Sequence, residues 1–232
     1  MTQRQITEYV VASEKLVESL TLAVVTDLHD GAYEDVLPVL AQADAILIVG
    51  DLVDRHRKTY QRAAQFLRDA PKIAPTFYSL GNHEWKFKRR EAYWPHVEAS
   101  GAIVLDNRFV RFRGLLLGGL SSAPKGQVQA AWLAAFSGNE GFKLLMCHQP
   151  EYFQCYVAPY EIDLTLAGHA HGGQVQMFGR GLYAPGQGLC PRWTKGFYFD
   201  NRLLVSRGMT NSAGAPRLNN PCELMLLRLT RR

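Results

Sequence analysis

The residues best suited to chemistry come in short clusters, and the densest is Ala167-Gly168-His169-Ala170-His171-Gly172-Gly173. It follows an apolar run over 162–167 that stops abruptly at glycine, as a buried strand running into a turn does. Two histidines at spacing two along extended backbone point the same way. The glycines leave room for a ligand or a metal. Asp27-Leu28-His29, Gly50-Asp51-Leu52-Val53-Asp54, Gly81-Asn82-His83-Glu84 and Cys147-His148-Gln149-Pro150 repeat the pattern. In each, an apolar run gives way to Asp, Asn or His near Gly or Pro. Five of the seven histidines fall in these clusters, with only His56 and His96 outside.

Carboxylate, amide oxygen and imidazole together suit Mn, Fe, Zn or a similar divalent ion, whereas a structural zinc favours a closed set of thiolates. The candidate ligands are Asp27, His29, Asp51, Asn82, His148, His169 and His171. They exceed the needs of one ion and suffice for two if one carboxylate bridges. Two carboxylates against two divalent cations leave a positive site that attracts an anionic phosphoester. Two ions about 3.5–4 Å apart stabilise both the attacking and the leaving oxygen of an in-line displacement. The chemistry that follows is phosphoester hydrolysis, with a metal-bound hydroxide attacking phosphorus.

The elements that must hold these residues are legible from periodicity. Buried-strand runs cover 20–26, 45–49, 76–80, 142–146 and 162–167, each ending in one of the clusters. Helical patterns cover 33–43, 59–70 and 127–135, and a further one from 90 is expected to break at Pro95. Shorter strand-like runs lie at 6–12, 102–105, 109–112, 115–120, 174–178, 203–206 and 223–229, with a Gly/Pro-rich loop over 179–196. Strands alternate with helices early and cluster later. That order predicts an α/β architecture: a two-sheet β-sandwich flanked by helices, αββα. Ligands in such folds bind beyond the carboxyl ends of strands, so the clusters converge at one edge.

Composition narrows the class. At 232 residues with 47% hydrophobic and 20% charged, the chain reads as a single globular domain over 1–232. Its net charge of +5 favours anionic partners, but no long basic tract calls for nucleic acid. Cys147, Cys155, Cys190 and Cys222 show no paired spacing and read as free thiols of a reducing compartment. No apolar run approaches a membrane span or a signal sequence, so the expectation is a cytoplasmic protein without a transmembrane anchor.

Taken in order, the five clusters resemble the motifs of the calcineurin-like metallophosphoesterases, and the likeness runs from near Ile6 to Leu229. Ala184-Pro185-Gly186-Gln187-Gly188 and the tail from Ser206 to Pro221 resemble the bacterial branch named after YkuE. The resemblance implies that Asp27, His29 and His171 hold a first metal, that Asn82, His148 and His169 hold a second, and that Asp51 bridges. It implies His83 as the catalytic histidine that contacts phosphate and protonates the leaving alkoxide, a role for which imidazole is suited. Gly50 to Arg55 followed by Gly81-Asn82-His83-Glu84 is also similar to the serine/threonine protein phosphatases, whose arginine grips phosphate; His56 departs from that pattern, and Arg55 stands as a substrate-binding candidate.

The implied substrate is a phosphoester, small-molecule or lipid-like, with a diester favoured over a monoester. The other readings are a metal-binding scaffold without catalysis and a nuclease using the same site. Ser121-Ser122 stands where branch relatives tend to carry an aspartate. Lys86, Lys88, Arg89 and Arg90 either line the site mouth or form a solvated face. Arg192, Trp193 and Lys195 either lid the site or belong to a plain surface loop. Glu84 either orients the His83 ring or raises its pKa, or is an ordinary solvated carboxylate; Asp54 reads as structural, and Cys147 reads as a core thiol.

Overall fold

The computed structural model describes residues 4–124, 126–212 and 216–232. Along the chain the strands begin with β1 (Gln5–Ser13), β2 (Leu20–Val25), β3 (Ala45–Val49), β4 (Thr76–Ser79), β5 (Ile103–Val104), β6 (Arg108–Phe112), β7 (Leu115–Leu120), β8 (Phe142–Cys147) and β9 (Leu164–Ala167). Short pieces follow: β10 (Gln176–Met177), β11 (Arg180–Gly181), β12 (Tyr183–Ala184) and β13 (Gly188–Leu189). The chain closes with β14 (Gly196–Tyr198), β15 (Leu203–Val205) and β16 (Glu223–Arg231). The helices are α1 (Leu37–Leu40), α2 (Gln61–Ile73), α3 (Asn82–Lys86), α4 (Arg90–Glu98) and α5 (Leu133–Ser137).

One six-stranded sheet has the order β1-β16-β2-β3-β4-β5 and the other β14-β15-β9-β8-β7-β6. Within the first, β2, β3, β4 and β5 run parallel; within the second, β7, β8, β9 and β15 do. Both faces of each central strand are covered, which is why these strands read as unbroken apolar runs. In β2, Leu20, Leu22 and Val24 join the cluster between the sheets, while Ala23 and Val25 face the helices. In β8, Phe142, Leu144 and Met146 point between the sheets, and Leu145 and Cys147 point outward. The α/β two-sheet sandwich follows from that double burial.

Three helical stretches differ from expectation, the first being 33–43, which is a 3-10 turn, Glu34–Val36, followed by the four residues of α1. α4 runs through Pro95 to Glu98 instead of breaking there. The helix starts at Arg90, so the proline removes a single intrahelical bond, and Tyr93 and Val97 on either side are buried. The helix expected over 127–135 is displaced to Leu133–Ser137, where Leu133 and Phe136 are buried in the outer core, while Val128, Ala130 and Trp132 pack against it half-buried from outside the helix.

Candidate metal centre

The parallel strands of the two sheets end at the same edge of the sandwich. β2 delivers Asp27 and His29, β3 delivers Asp51, and α3 after β4 opens with Asn82 and His83. Across the sandwich β8 delivers His148, and the turn after β9 delivers His169 and His171. All eight side chains are buried. The backbone takes left-handed φ at Asp27, His29, Asp51, His169 and His171, between 47° and 65°. Non-glycine residues adopt that region at a cost, and such strain concentrates at functional sites. Gly81 and Gly168 are required by close approach: a Cβ at either would run into the carboxylate of Asp51 or of Asp27.

The histidines of the opening cluster are not on extended backbone. β9 ends at Ala167, and His171 starts a single 3-10 turn. Two left-handed residues bend the chain around Asp27, whose carboxylate accepts the His169 backbone N–H (3.2 Å). The rings therefore diverge because of the turn, where extended backbone would have pointed them the same way.

Ligand atoms of Asp27, His29 and His171 lie within 4.8 Å of one another, and so do those of Asp51, His148 and His169. His171 Nε2 is 3.4 Å from Asp27 Oδ1, and His29 Nε2 is 3.3 Å from His171 Nε2. Asp51 sits between the groups: its Oδ2 is 3.0 Å from His148 Nε2, 4.0 Å from His29 Nε2 and 3.8 Å from His83 Nε2.

The donor set fits a divalent cation. His148 Nδ1 donates to the Val49 carbonyl (2.8 Å), which leaves Nε2 as the nitrogen facing inward. That nitrogen is buried without a hydrogen-bond partner, 3.0 Å from the Asp51 carboxylate. Asn82 Oδ1 is likewise buried and unpartnered. Burial favours the neutral carboxyl of Asp27, but His171, His148 and His29 outweigh it and hold it well below the usual range. His148 is pushed the other way: burial opposes its charge, yet Asp51 and Asp27 raise it to about 10. Two ionised carboxylates among inward-facing nitrogens are what a bound cation neutralises.

The sequence model for the calcineurin-like phosphoesterases matches residues 20–173, the stretch carrying every one of these residues. The chain belongs to that family. An uncharacterised metallophosphoesterase of Campylobacter jejuni is 28% identical over 240 residues, covering 92% of this chain and 60% of that protein. The uncharacterised metallophosphoesterase YkuE of Bacillus subtilis is 27% identical over 188 residues, covering 73% of this chain and 62% of that one. The chain thus spans roughly half to three-fifths of the first curated relatives it matches, with 60% of one and 51% of another. A crystal structure from Thermus thermophilus aligns over 64% of this chain and 81% of its own, at 17% identity and a TM-score of 0.43.

Around this calcineurin-like centre, a cleft of about 260 Å³ is lined by Asp51, Arg55, Asn82, His83, His169 and His171, among others. The Arg55 backbone N–H donates to His83 Nδ1 (3.0 Å), so the neutral ring carries its proton on Nε2. Glu84 is neither solvated nor in contact with the His83 ring. It is buried and accepts backbone N–H groups from Asp51, Leu52, Val53 and Gly81 at 2.7–3.3 Å. Asp54 accepts the His56 N–H and pairs with Arg57, and its Oδ1 is 3.5 Å from His83 Nδ1 on the cleft wall.

Of the basic run, Lys86 reaches a second cleft beside the centre, whereas Arg89 stacks on Tyr60 and Arg90 on Trp94. Arg192, Trp193 and Lys195 do not line either cleft at the centre; Gln187 ties the Arg192–Trp193 backbone down, and Tyr183 and Pro185 line both clefts instead. Ser121 and Ser122 are buried beside a separate pocket.

Two further residues reach the centre without any sequence signal that places them there. The Arg217 guanidinium donates to His171 Nδ1 (2.9 Å) and holds the Arg207 and Thr210 carbonyls. Its segment carries branch likeness, but no spacing rule links position 217 to 171. Glu151 Oε1 is 3.9 Å from His169 Nε2, and both of its oxygens are buried without partners. Burial pushes its carboxyl up.

Proposed function

We propose that this chain is a binuclear metal-dependent phosphoester hydrolase, with Asp51 shared between Asp27, His29 and His171 on one side and Asn82, His148 and His169 on the other. The observation that carries the reading is the pair of adjoining buried ligand groups, Asp27–His29–His171 and Asp51–His148–His169. Divalent cations bound there would supply an acidified water and positive charge against the phosphoryl oxygens. Manganese, iron and zinc all suit these donors.

The chain's own residues do the rest. His83 is neutral at pH 7, since burial pulls it down to about 4, and Arg55 fixes its tautomer. Its Nε2–H then points to the Asp51 side, where it donates to a phosphoryl or leaving-group oxygen. Arg55 lines the cleft, and its guanidinium is our candidate to pair with a non-bridging oxygen. A second cleft of about 670 Å³ shares Arg55, Asn82, His169, Tyr183 and Pro185 with the first. Room on both sides of a phosphorus favours a diester over a monoester. A small-molecule or lipid-like alcohol is the substrate class, and the four free cysteines fit a reducing, cytoplasmic setting. The complete ligand set with His83 favours catalysis over a metal-binding scaffold.

The test is hydrolysis of bis-p-nitrophenyl phosphate with Mn²⁺. The wild-type chain turns it over, and Asp51→Asn lowers kcat/KM by at least about 10³-fold. Undiminished activity in that variant, or after thorough chelation, removes the mechanism.

A further inference from the structure

Twelve large hydrophobic side chains are exposed among the described residues, and six belong to one small platform: Met177, Phe178, Leu182, Tyr183, Leu189 and Leu218. Backbone bonds Gln176 N–H to Leu218 O (2.9 Å), Leu182 N–H to Val175 O (2.9 Å) and Cys190 N–H to Leu182 O (3.0 Å) tie the two hairpins β10–β11 and β12–β13 to each other and to Leu218. The platform borders the metal centre, since Tyr183 lines the cleft with His83, His169 and His171.

Phe178 is the most telling residue. It forms the β10–β11 turn with Gly179, at φ 49°, and its side chain is 100% exposed. A two-residue hairpin turn of that kind favours Asn or Asp there. Leu189 is 80% exposed at the end of the second hairpin. Neither backbone geometry nor solubility accounts for these choices, and contiguous exposed apolar groups mark interaction surfaces.

Charge identifies the occupant. Residues 174–199 contain no Asp or Glu, and they carry Arg180, Arg192 and Lys195. Trp85, 42% exposed, and Lys86 line the same cleft as Tyr183 and Pro185. Apolar tips on a segment that carries cations and no acid, with an indole on the neighbouring cleft, are complementary to an anionic bilayer surface. A partner protein's acidic groove would match the cations but not a lone Phe projecting from a turn.

We propose that the 176–189 hairpins, with Phe178 and Leu189 leading, dock this protein on an anionic lipid surface and bring the cleft to headgroup level. The test is flotation of the whole chain with phosphatidylcholine vesicles holding about 30 mol% phosphatidylglycerol, at low and at high salt. Wild type floats with these vesicles, less so in high salt, and Phe178→Ser with Leu189→Ser reduces the bound fraction at least about tenfold. Arg180→Glu with Arg192→Glu, which leaves the apolar tips intact, also reduces it. Both double variants hydrolyse bis-p-nitrophenyl phosphate within about twofold of wild type, since they touch no residue of the cleft. Asp51→Asn floats like wild type, so docking and the hydrolase reading fail separately. Absence of flotation at low salt, or flotation indifferent to both double variants, overturns the proposal. So does a wild-type dimer by light scattering that Phe178→Ser with Leu189→Ser dissolves, because the platform then covers a second copy.

Discussion

His83 and Asp51 are held by one another's surroundings. The His83 backbone N–H donates to Asp51 Oδ1 (2.9 Å), while its ring accepts the Arg55 N–H, so ring and carboxylate are fixed 3.8 Å apart. A neutral ring fixed in that tautomer acts as a hydrogen-bond donor, and losing one positioned donor to developing charge costs about 10²–10³-fold in kcat. We therefore expect His83→Asn to lower kcat by that order while bound metal per chain, counted by mass spectrometry, stays at the wild-type value. Loss of a metal equivalent in this variant makes His83 a ligand, an assignment its clustering with His29 and Asp51 would accommodate. His83 was legible in the sequence as part of Gly81-Asn82-His83-Glu84; the tautomer was not, because it is set by a backbone N–H 28 positions away.

At the scale of elements, Glu84 joins the loop after β3 to the end of β4. Its carboxylate accepts four backbone N–H groups, those of Asp51, Leu52, Val53 and Gly81. Glu84→Gln turns one acceptor into a donor facing those N–H groups. We expect a loss of about 2–4 kcal/mol, read as a lower urea midpoint at unchanged slope. A midpoint within experimental error of wild type would show that the loop holds without it. Strand alternation makes a second prediction. Cys147 faces the outer core of β8, where burial and then the nearby Glu151 charge raise its thiol pKa, and Cys222 is also buried. Cys155 and Cys190 are exposed. Ellman's reagent on the native chain should find two fast thiols, with the others appearing on unfolding. The strand face of Cys147 followed from period-two reasoning, whereas the course of α4 through Pro95 depended on what Tyr93 and Val97 pack against.

The whole molecule carries a cluster of histidines whose charge is set by burial and by two carboxylates. In the chelated protein His83, His169 and His171 are held neutral, chiefly by burial, at about 4, 3 and 4. Unfolding returns each to about 6.5, so the unfolded chain binds more protons below that pH and stability falls as pH drops toward 4. His148 has the opposite sign: held up at about 10, it stabilises fully below about 6.5 and loses that contribution as pH rises. The melting temperature of the chelated protein should therefore peak near pH 6–7 and fall by several degrees on each side, as scanning fluorimetry can record. A flat profile between pH 6.5 and 5 would contradict the burial of these rings.

The sequence by itself determined the two-sheet α/β layout and the identity of the clustered residues. Both rest on local pattern: doubly buried strands are continuous apolar runs, and the residues just past their ends must share one edge of a parallel sheet. What only the tertiary structure decided is how those residues face each other. The left-handed turn at His169 and His171, the four-way grip of Glu84, and the arrival of Arg217 and Glu151 arise from contacts between distant segments. So does the exposure of Phe178, which in one dimension is one apolar residue in a glycine-rich loop. A side chain's neighbours along the chain fix its local conformational preferences, but its electrostatic partners and its solvent contact are set by whatever the fold brings against it.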